Sequence, residues 1–150
     1  MSTVEATTRI DAPIDRVWET IMDPARLKDW VTIHRDVRDV SSQPLTKGST
    51  MEQVLCLRGV NFHVHWQLAD VAAPLRAQWD GRGPAHSHAT IRYELQDAGN
   101  GTTTFKYTNE FRAPGGMLGN VASRVIVGGV SEREAHSSLA RLKALLESHE

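Results

Sequence analysis

The apolar positions at the start of the chain predict one strand and two short helices. Every second residue of Thr3 to Ile10 shares one face, which is typical of a strand. Asp11-Ala12-Pro13 ends this strand, because proline lacks a backbone donor and restricts the residue before it. Apolar residues at helical spacing predict a short amphipathic helix over Ile14 to Met22. A second short helix follows, with Asp23 as its candidate N-cap and Pro24 at its first position.

The middle of the chain alternates with period two between turn signals, which predicts six further strands. Asn100-Gly101 is the clearest hairpin turn, because both residues tolerate positive φ. Every connection is only a few residues long, so we expect the strands to pair antiparallel as a meander. The predicted strands are His34 to Ser41, Ser49 to Leu57, Asn61 to Val71, Arg76 to Gly81, Ser87 to Leu95 and Thr102 to Arg112.

The last segment has a different period. Pro114-Gly115-Gly116 ends the final strand, and no proline follows. Steps of three and four predict one helix from Met117 to about Ser148, roughly 30 residues and about 45 Å long. Its predicted inward stripe is Val121, Val125, Gly128, Glu132, Ala135, Leu139, Leu142 and Leu146.

Composition limits the class of protein. The 150 residues suit a single domain spanning residues 1–150, and 17 Lys+Arg against 18 Asp+Glu argue against a broad basic surface for nucleic acid. One cysteine, Cys56, forms no internal disulfide. No apolar run reaches the roughly 18 residues of a membrane span, and Met1 to Arg9 lacks the apolar core of a signal peptide. We therefore expect a cytoplasmic protein without stable membrane insertion.

Several segments of the chain characterise this order of elements: Ile10-Asp11-Ala12-Pro13, Val17-Trp18, Asp23-Pro24 through Trp30, Gly81-Arg82-Gly83-Pro84, Glu110-Phe111, Pro114-Gly115-Gly116, Glu132-Arg133-Glu134 and Leu139-Ala140-Arg141-Leu142-Lys143. Together they resemble the helix-grip fold of the START-like superfamily, which includes the birch pollen allergen. More narrowly, the chain is similar to the SRPBCC proteins, the polyketide cyclase/dehydrase and lipid-transport family. The resemblance implies an α+β fold in which a curved seven-stranded antiparallel sheet surrounds a long C-terminal helix, with two short helices after strand 1 and a cavity between sheet and helix. It implies no shared catalytic motif.

Strand parity then selects the side chains that face this cavity. Burial favours the apolar set of each strand inside, which gives an aromatic interior with a few polar members. Such aromatic residues are also common in a plain core. Asn109 is either a ligand contact or a structural bridge, because a buried amide must satisfy several hydrogen-bonding groups. The predicted ligand-binding residues are Trp66, Trp79, Tyr93, Tyr107, Asn109, Phe111, Val125, Gly128 and Glu132.

Two residues of the predicted helix are unusual. Gly128 costs about 1 kcal/mol relative to Ala in a helix, which indicates either room for a ligand or a kink or break. Glu132 falls on the inward stripe, where it could orient a ligand or act as a general base. Alternatively it is a surface carboxylate beside Arg133 or His136. Glu132 and Tyr107 are the candidate catalytic residues.

The histidines do not predict a metal site. Each pair, His63/His65 and His86/His88, could place two imidazoles on one strand face. In a sequential meander one strand separates the pairs, about 9–10 Å, too far to share an ion. Parity puts both pairs on the outer face. We expect no metal and no cofactor.

Three functions remain open at this stage. The first is binding of a hydrophobic or aromatic small molecule, lipid- or polyketide-like, in a sizeable pocket of about 300 Å³ or more. The second is a polyketide cyclase or dehydratase that uses an acid/base group in the cavity. The third is an interaction module with a small interior and an exposed apolar patch. The expected state is a monomer or homodimer.

Overall fold

The period-two segments form strands close to their predicted bounds in the computed structural model, which describes residues 2–112 and 131–148. The second strand ends at Arg38, earlier than predicted, because Asp39 has a positive φ of 52°. The sixth extends to Gly99, whose amide donates to Asp97 Oδ1 at 2.8 Å. The strands are β1 (Ser2–Ile10), β2 (His34–Arg38), β3 (Thr50–Leu57), β4 (Val60–Ala72), β5 (Arg76–Arg82), β6 (His88–Gly99) and β7 (Thr102–Arg112).

All seven strands join one curved antiparallel sheet in the order β1-β7-β6-β5-β4-β3-β2. The predicted meander from β2 to β7 is confirmed. The first strand, β1, forms one edge of the sheet and pairs with β7, with Ile10 opposite Thr103. The hairpin between β6 and β7 turns at Asn100 and Gly101, which have φ angles of 56° and 75°. The short connections from β2 to β7 thus leave each of these strands beside its neighbour in sequence, whereas β1 and β2 lie at opposite edges of the sheet.

Two short helices follow β1, as predicted: α1 (Ile14–Ile21) and α2 (Leu27–Trp30). A 3₁₀ turn at Pro24–Arg26 precedes α2. The carboxylate of Asp23 accepts a hydrogen bond from the Ala25 amide at 3.0 Å, which confirms Asp23 as an N-cap.

The C-terminal helix α3 (Glu132–Glu147) has 16 residues, so the prediction of one continuous helix from Met117 is wrong at its start. Ser131 is the N-cap, with an extended ψ of 161°, and forms a reciprocal capping box with Glu134. Apolar periodicity does not detect such a break, because the repeat can continue across it. Val125 and Gly128 lie outside the described residues.

Four residues of the predicted inward stripe are buried on α3, and one, Glu132, is not. The four are Ala135, Leu139, Leu142 and Leu146. Glu132 is the first residue of the helix and is exposed, so its predicted inward placement is wrong. The buried residues of α3 are Ala135, Ser138, Leu139, Leu142 and Leu146.

Polar contacts hold α3 over the concave face of the sheet. Lys143 Nζ donates to the Arg9 carbonyl at 2.7 Å, and Glu147 Oε2 accepts from the Asp11 amide at 2.7 Å. Near the other end, Ser138 Oγ accepts from the Thr32 amide at 3.0 Å. The helix is therefore attached to the β1–α1 corner and to the segment after α2. Neither α3 nor any other helix of the described residues combines the length and apolar character needed to cross a bilayer.

Candidate functional site

A cavity lies between the concave face of the sheet, the helices α1 and α2, and α3. Its volume is about 100 Å³. This is smaller than the roughly 300 Å³ expected from typical ligand pockets, and nearer to the engineered cavity of about 150 Å³ that binds benzene. The physical reason is the packing of rings into the interior: Trp30, Tyr93 and Phe105 lie with centroids 5.5 to 6.3 Å apart.

Six of the predicted site residues line this cavity. They lie on β4 to β7, and each is buried because it occupies the inward parity of its strand. Glu132 is exposed and lies outside the lining, while Val125 and Gly128 fall outside the described residues. The six residues are Trp66, Trp79, Tyr93, Tyr107, Asn109 and Phe111.

Tyr107 and Asn109 form a pair on β7. They are two residues apart on the same face, and Asn109 Nδ2 donates to the Tyr107 hydroxyl oxygen at 2.9 Å. Burial raises the pKa of Tyr107 to about 12, against a smaller lowering by the Asn109 hydrogen bond. The Tyr107 phenol is therefore neutral at pH 7, and its own proton is available for donation.

Tyr93 lies directly opposite Tyr107 across β6 and β7, with ring centroids 6.3 Å apart. Its pKa is raised, chiefly by burial and then by the neighbouring Tyr107, so this phenol is also neutral. No hydrogen bond joins the Tyr93 hydroxyl to another group of residues 2–112 and 131–148. The cavity wall thus carries a phenol with a free donor.

Trp30 on α2 supplies a second free donor that sequence reasoning missed. Its side chain is 1% exposed and lines the cavity, yet Nε1 has no hydrogen-bond partner within the described part of the chain. Trp30 packs against Tyr93 with centroids 6.1 Å apart, so the two donors belong to one ring cluster. Because a buried N–H without a partner costs free energy, this group needs an explanation. In the sequence, Trp30 enters only as the end of the segment from Asp23-Pro24 that carries the family resemblance.

Gln53 on β3 is a further polar cavity residue that the analysis of strand parity did not reach. Its Oε1 accepts from Trp66 Nε1 at 2.9 Å, and its Nε2 lies 2.9 Å from His34 Nδ1. Burial lowers the pKa of His34, partly offset by Asp36. The signal was present in β3, where Gln53 shares the inward parity with Met51, Leu55 and Leu57.

Carboxylates contribute little to the cavity. Within the described residues, Glu134 is the carboxylate that lines it, and its Oε1 accepts from the amide and hydroxyl of Ser131, both at 3.2 Å. The polar lining therefore consists mainly of hydroxyl and N–H donors on apolar walls. Such a surface favours a neutral ligand with an acceptor oxygen over proton abstraction by a free base.

The histidine pairs lie away from the cavity centre. His63 and His65 are exposed on the outer face of β4, as predicted. His86 lies in a 3₁₀ turn, Pro84–His86, with a positive φ of 63°, so the expectation that it shares a strand face with His88 is wrong. The described residues contain no group of three or more potential metal ligands.

Comparison with known proteins agrees with this architecture. The Zhui aromatase/cyclase from Streptomyces sp. R1128 is 20% identical, with 97% of this chain and 93% of that chain covered and a TM-score of 0.74. TTHA0849 from Thermus thermophilus is 18% identical over 99% of this chain and 100% of that chain, with a TM-score of 0.73. The Aha1 dimer from Colwellia psychrerythraea is 17% identical over 99% and 98%, with a TM-score of 0.65. No sequence among curated proteins matches the chain significantly. The family described as polyketide cyclase / dehydrase and lipid transport matches residues 1–147, and the chain belongs to that family.

Proposed function

We propose that the protein binds a small hydrophobic or aromatic molecule that carries a carbonyl or other acceptor oxygen. The observation that supports this most directly is the buried Trp30 Nε1, which has no hydrogen-bond partner within the described residues and lines an apolar cavity together with the ring of Tyr93. A buried donor left unsatisfied, as Trp30 Nε1 is among the described residues, costs about 1–3 kcal/mol. An acceptor oxygen on the ligand would remove that cost while the ligand's apolar part contacts the surrounding rings.

The volume of the cavity limits the size of the ligand that it can hold. A volume of about 100 Å³ suits a single ring or the end of a longer ligand rather than a whole lipid. Phe62, Trp66 and Trp79 supply apolar walls beside the two donors. The ligand is thus expected to place one ring among these side chains with its oxygen toward Trp30 and Tyr93.

A cyclase or dehydratase is the second candidate, favoured by the family and by the likeness to an aromatase/cyclase. Cyclisation of a poly-β-ketone breaks a methylene C–H bond, whose proton passes to water, and joins that carbon to a carbonyl carbon, whose oxygen takes up a proton. Elimination of the resulting hydroxyl with a proton from the neighbouring carbon then releases water. The neutral phenols of Tyr93 and Tyr107 could donate hydrogen bonds to the carbonyl oxygen as negative charge develops on it. Glu132, the general base that the sequence suggested, is exposed and does not line the cavity, which counts against that role.

Matched ligands test the binding proposal. Acetophenone and ethylbenzene have similar shapes, but only acetophenone has an acceptor oxygen. Titration followed by tryptophan fluorescence should show acetophenone binding about tenfold more tightly, the value of one hydrogen bond. Tyr93→Phe and Trp30→Phe should reduce that preference and leave ethylbenzene affinity nearly unchanged. Equal affinities for the two ligands in the unmodified protein would refute the proposal.

Catalysis is tested separately with a short synthetic poly-β-ketone. Formation of an aromatic product, followed by absorbance and mass spectrometry, should slow in Tyr93→Phe and Tyr107→Phe if these phenols act on the carbonyl. If the protein binds the ketone but the aromatic product forms no faster than without protein, the binding function stands and the cyclase function is excluded.

The expectations on location and assembly remain part of the proposal. A cytoplasmic monomer or homodimer is expected, and one structural relative, Aha1 from Colwellia psychrerythraea, is a dimer in solution. Light scattering during size-exclusion chromatography would distinguish the two assembly states, and cell fractionation would test the location.

A further inference from the structure

The outer face of the sheet carries a row of basic side chains, of which only His88 also borders the cavity. Antiparallel register places His65 on β4 opposite Arg82 on β5, Arg82 opposite His88 on β6, and His88 opposite Arg112 on β7. Directly paired residues point to the same side of a sheet, so all four side chains share one face. We call these four residues the cationic row.

The cationic row borders a depression of about 670 Å³ on this face. All four residues are exposed. Arg82 and Arg112 are two interstrand spacings apart, about 10 Å between their Cα atoms. Their long side chains flank His88, so both guanidinium groups can reach an anion that lies over its imidazole.

The charges of the row are not neutralised within the described residues. Neither Arg82 nor Arg112 has an ion pair or hydrogen bond there. By contrast, Arg76 at the other end of β5 is paired with Asp70 at 2.8 Å. The two arginines, about 10 Å apart with His88 between them, repel each other only weakly in water, and an anion bound between them would attract both.

The carboxylates nearest the row are already engaged. Glu110 forms an ion pair with Arg92 at 3.0 Å, and Asp80 Oδ1 accepts from Gln78 and Thr90 at 3.2 and 3.4 Å. Glu52, which continues the row on β3, lies 3.7 Å from His63 Nδ1. Asp80 and Glu110 line the depression, and none of the three carboxylates forms an ion pair with Arg82 or Arg112.

The geometry points to a binding site for a phosphate group of a small molecule, held between Arg82 and Arg112 over His88. Arginine favours phosphate because its planar group donates two parallel hydrogen bonds to the oxygens, and two arginines match a dianion. Arg82 and Arg112 do not line the cavity, whereas His88 borders both the cavity and the depression, so variants of the two arginines test this site separately from the function proposed above.

Inorganic phosphate tests the site directly. Phosphate is titrated into the full chain at pH 7, and ¹H–¹⁵N NMR follows the amide shifts. Chloride at equal ionic strength is the reference. Saturable shifts should appear in the amides of the cationic row. Arg82→Gln and Arg112→Gln should each weaken phosphate binding about tenfold, the value of a hydrogen bond to a charged group.

Arg76→Gln is the matched control, because it removes the same charge from the same face of β5 at its other end. Unchanged phosphate affinity in this variant, with losses in the other two, would support the site. Equal weakening in all three variants would show unspecific attraction and overturn it. Absence of phosphate binding would also overturn it, and binding of polyglutamate in that case would identify an acidic protein surface as the partner instead.

Discussion

The indole ring of Trp66 lies over Gly81, its register partner on the adjacent strand. A Cβ atom at position 81 would come within 2.5 and 2.6 Å of two carbons of that ring, and within 2.9 Å of Val64 Cγ1. Glycine at this position therefore lets the indole lie against β5. In this position Trp66 Nε1 reaches Gln53 Oε1 at 2.9 Å, so the close approach also sets one polar contact of the cavity.

Gly81→Ala should destabilise the protein by about 1–3 kcal/mol, the usual cost of overpacking a filled interior. The indole must move, and with it the hydrogen bond to Gln53. Urea unfolding monitored by tryptophan fluorescence measures the loss. Gln78→Ala, on the same strand but partly exposed, is the control and should change the free energy of unfolding by less than about 0.5 kcal/mol. Full stability in Gly81→Ala would mean that the ring has free space to move.

The two cavity tyrosines should respond differently to loss of the hydroxyl. Tyr107→Phe removes the acceptor of Asn109 Nδ2 and leaves a buried amide unpaired, at a cost of about 1–3 kcal/mol. Tyr93→Phe removes a hydroxyl without a partner among the described residues and should be nearly neutral. Chemical unfolding of both variants measures the difference. An equal loss in the two would contradict the assignment of Tyr93 as a free donor.

The start of α3 depends on its capping box. Ser131→Ala should lower the free energy of unfolding by about 1 kcal/mol, because the amide of Glu134 loses the acceptor at 3.1 Å. Ser137→Ala is the control, since Ser137 is exposed on the same helix. That variant should be neutral or slightly stabilising through helix propensity. Thermal unfolding by circular dichroism compares the two, and equal melting temperatures would argue against the cap.

The contact between α3 and the β1–α1 corner should depend on pH. The Asp11 amide and then Lys143 hold the pKa of Glu147 below its usual value of 4.5. A carboxylate with a lowered folded-state pKa stabilises the protein above that usual value, and the contribution disappears as pH falls through the folded pKa. Glu147→Gln should therefore be less stable than the unmodified protein at pH 7 and about equally stable near pH 3.

Urea midpoints between pH 7 and pH 3 measure this difference. Glu94→Gln is the control, because Glu94 is exposed and has no ion pair within the described residues. A gap between Glu147→Gln and the unmodified protein that stays constant over the whole range would show that ionisation of Glu147 is not its cause.

The sequence by itself determined which side chains of the sheet face inward. Period-two alternation depends only on local backbone geometry, so burial of the apolar set placed Trp66, Trp79, Tyr93, Tyr107 and Phe111 in the cavity wall. The resemblance to a known family supplied the curved sheet and the cavity. The sequence also contains a local signal for the start of α3, the capping box of Ser131 and Glu134. The apolar repeat continues across this start, so periodicity alone predicted a longer helix and placed Glu132 on its inward face.

Only the tertiary structure decided which groups meet. Residues that are distant in sequence meet in the packing of Trp30 against Tyr93, in the contact of Gln53 with Trp66 and in the cationic row. The cavity volume likewise depends on how rings from α2, β6 and β7 pack together. The physical reason is that periodicity reports the face of one element, whereas pairing register and ring packing depend on contacts between elements.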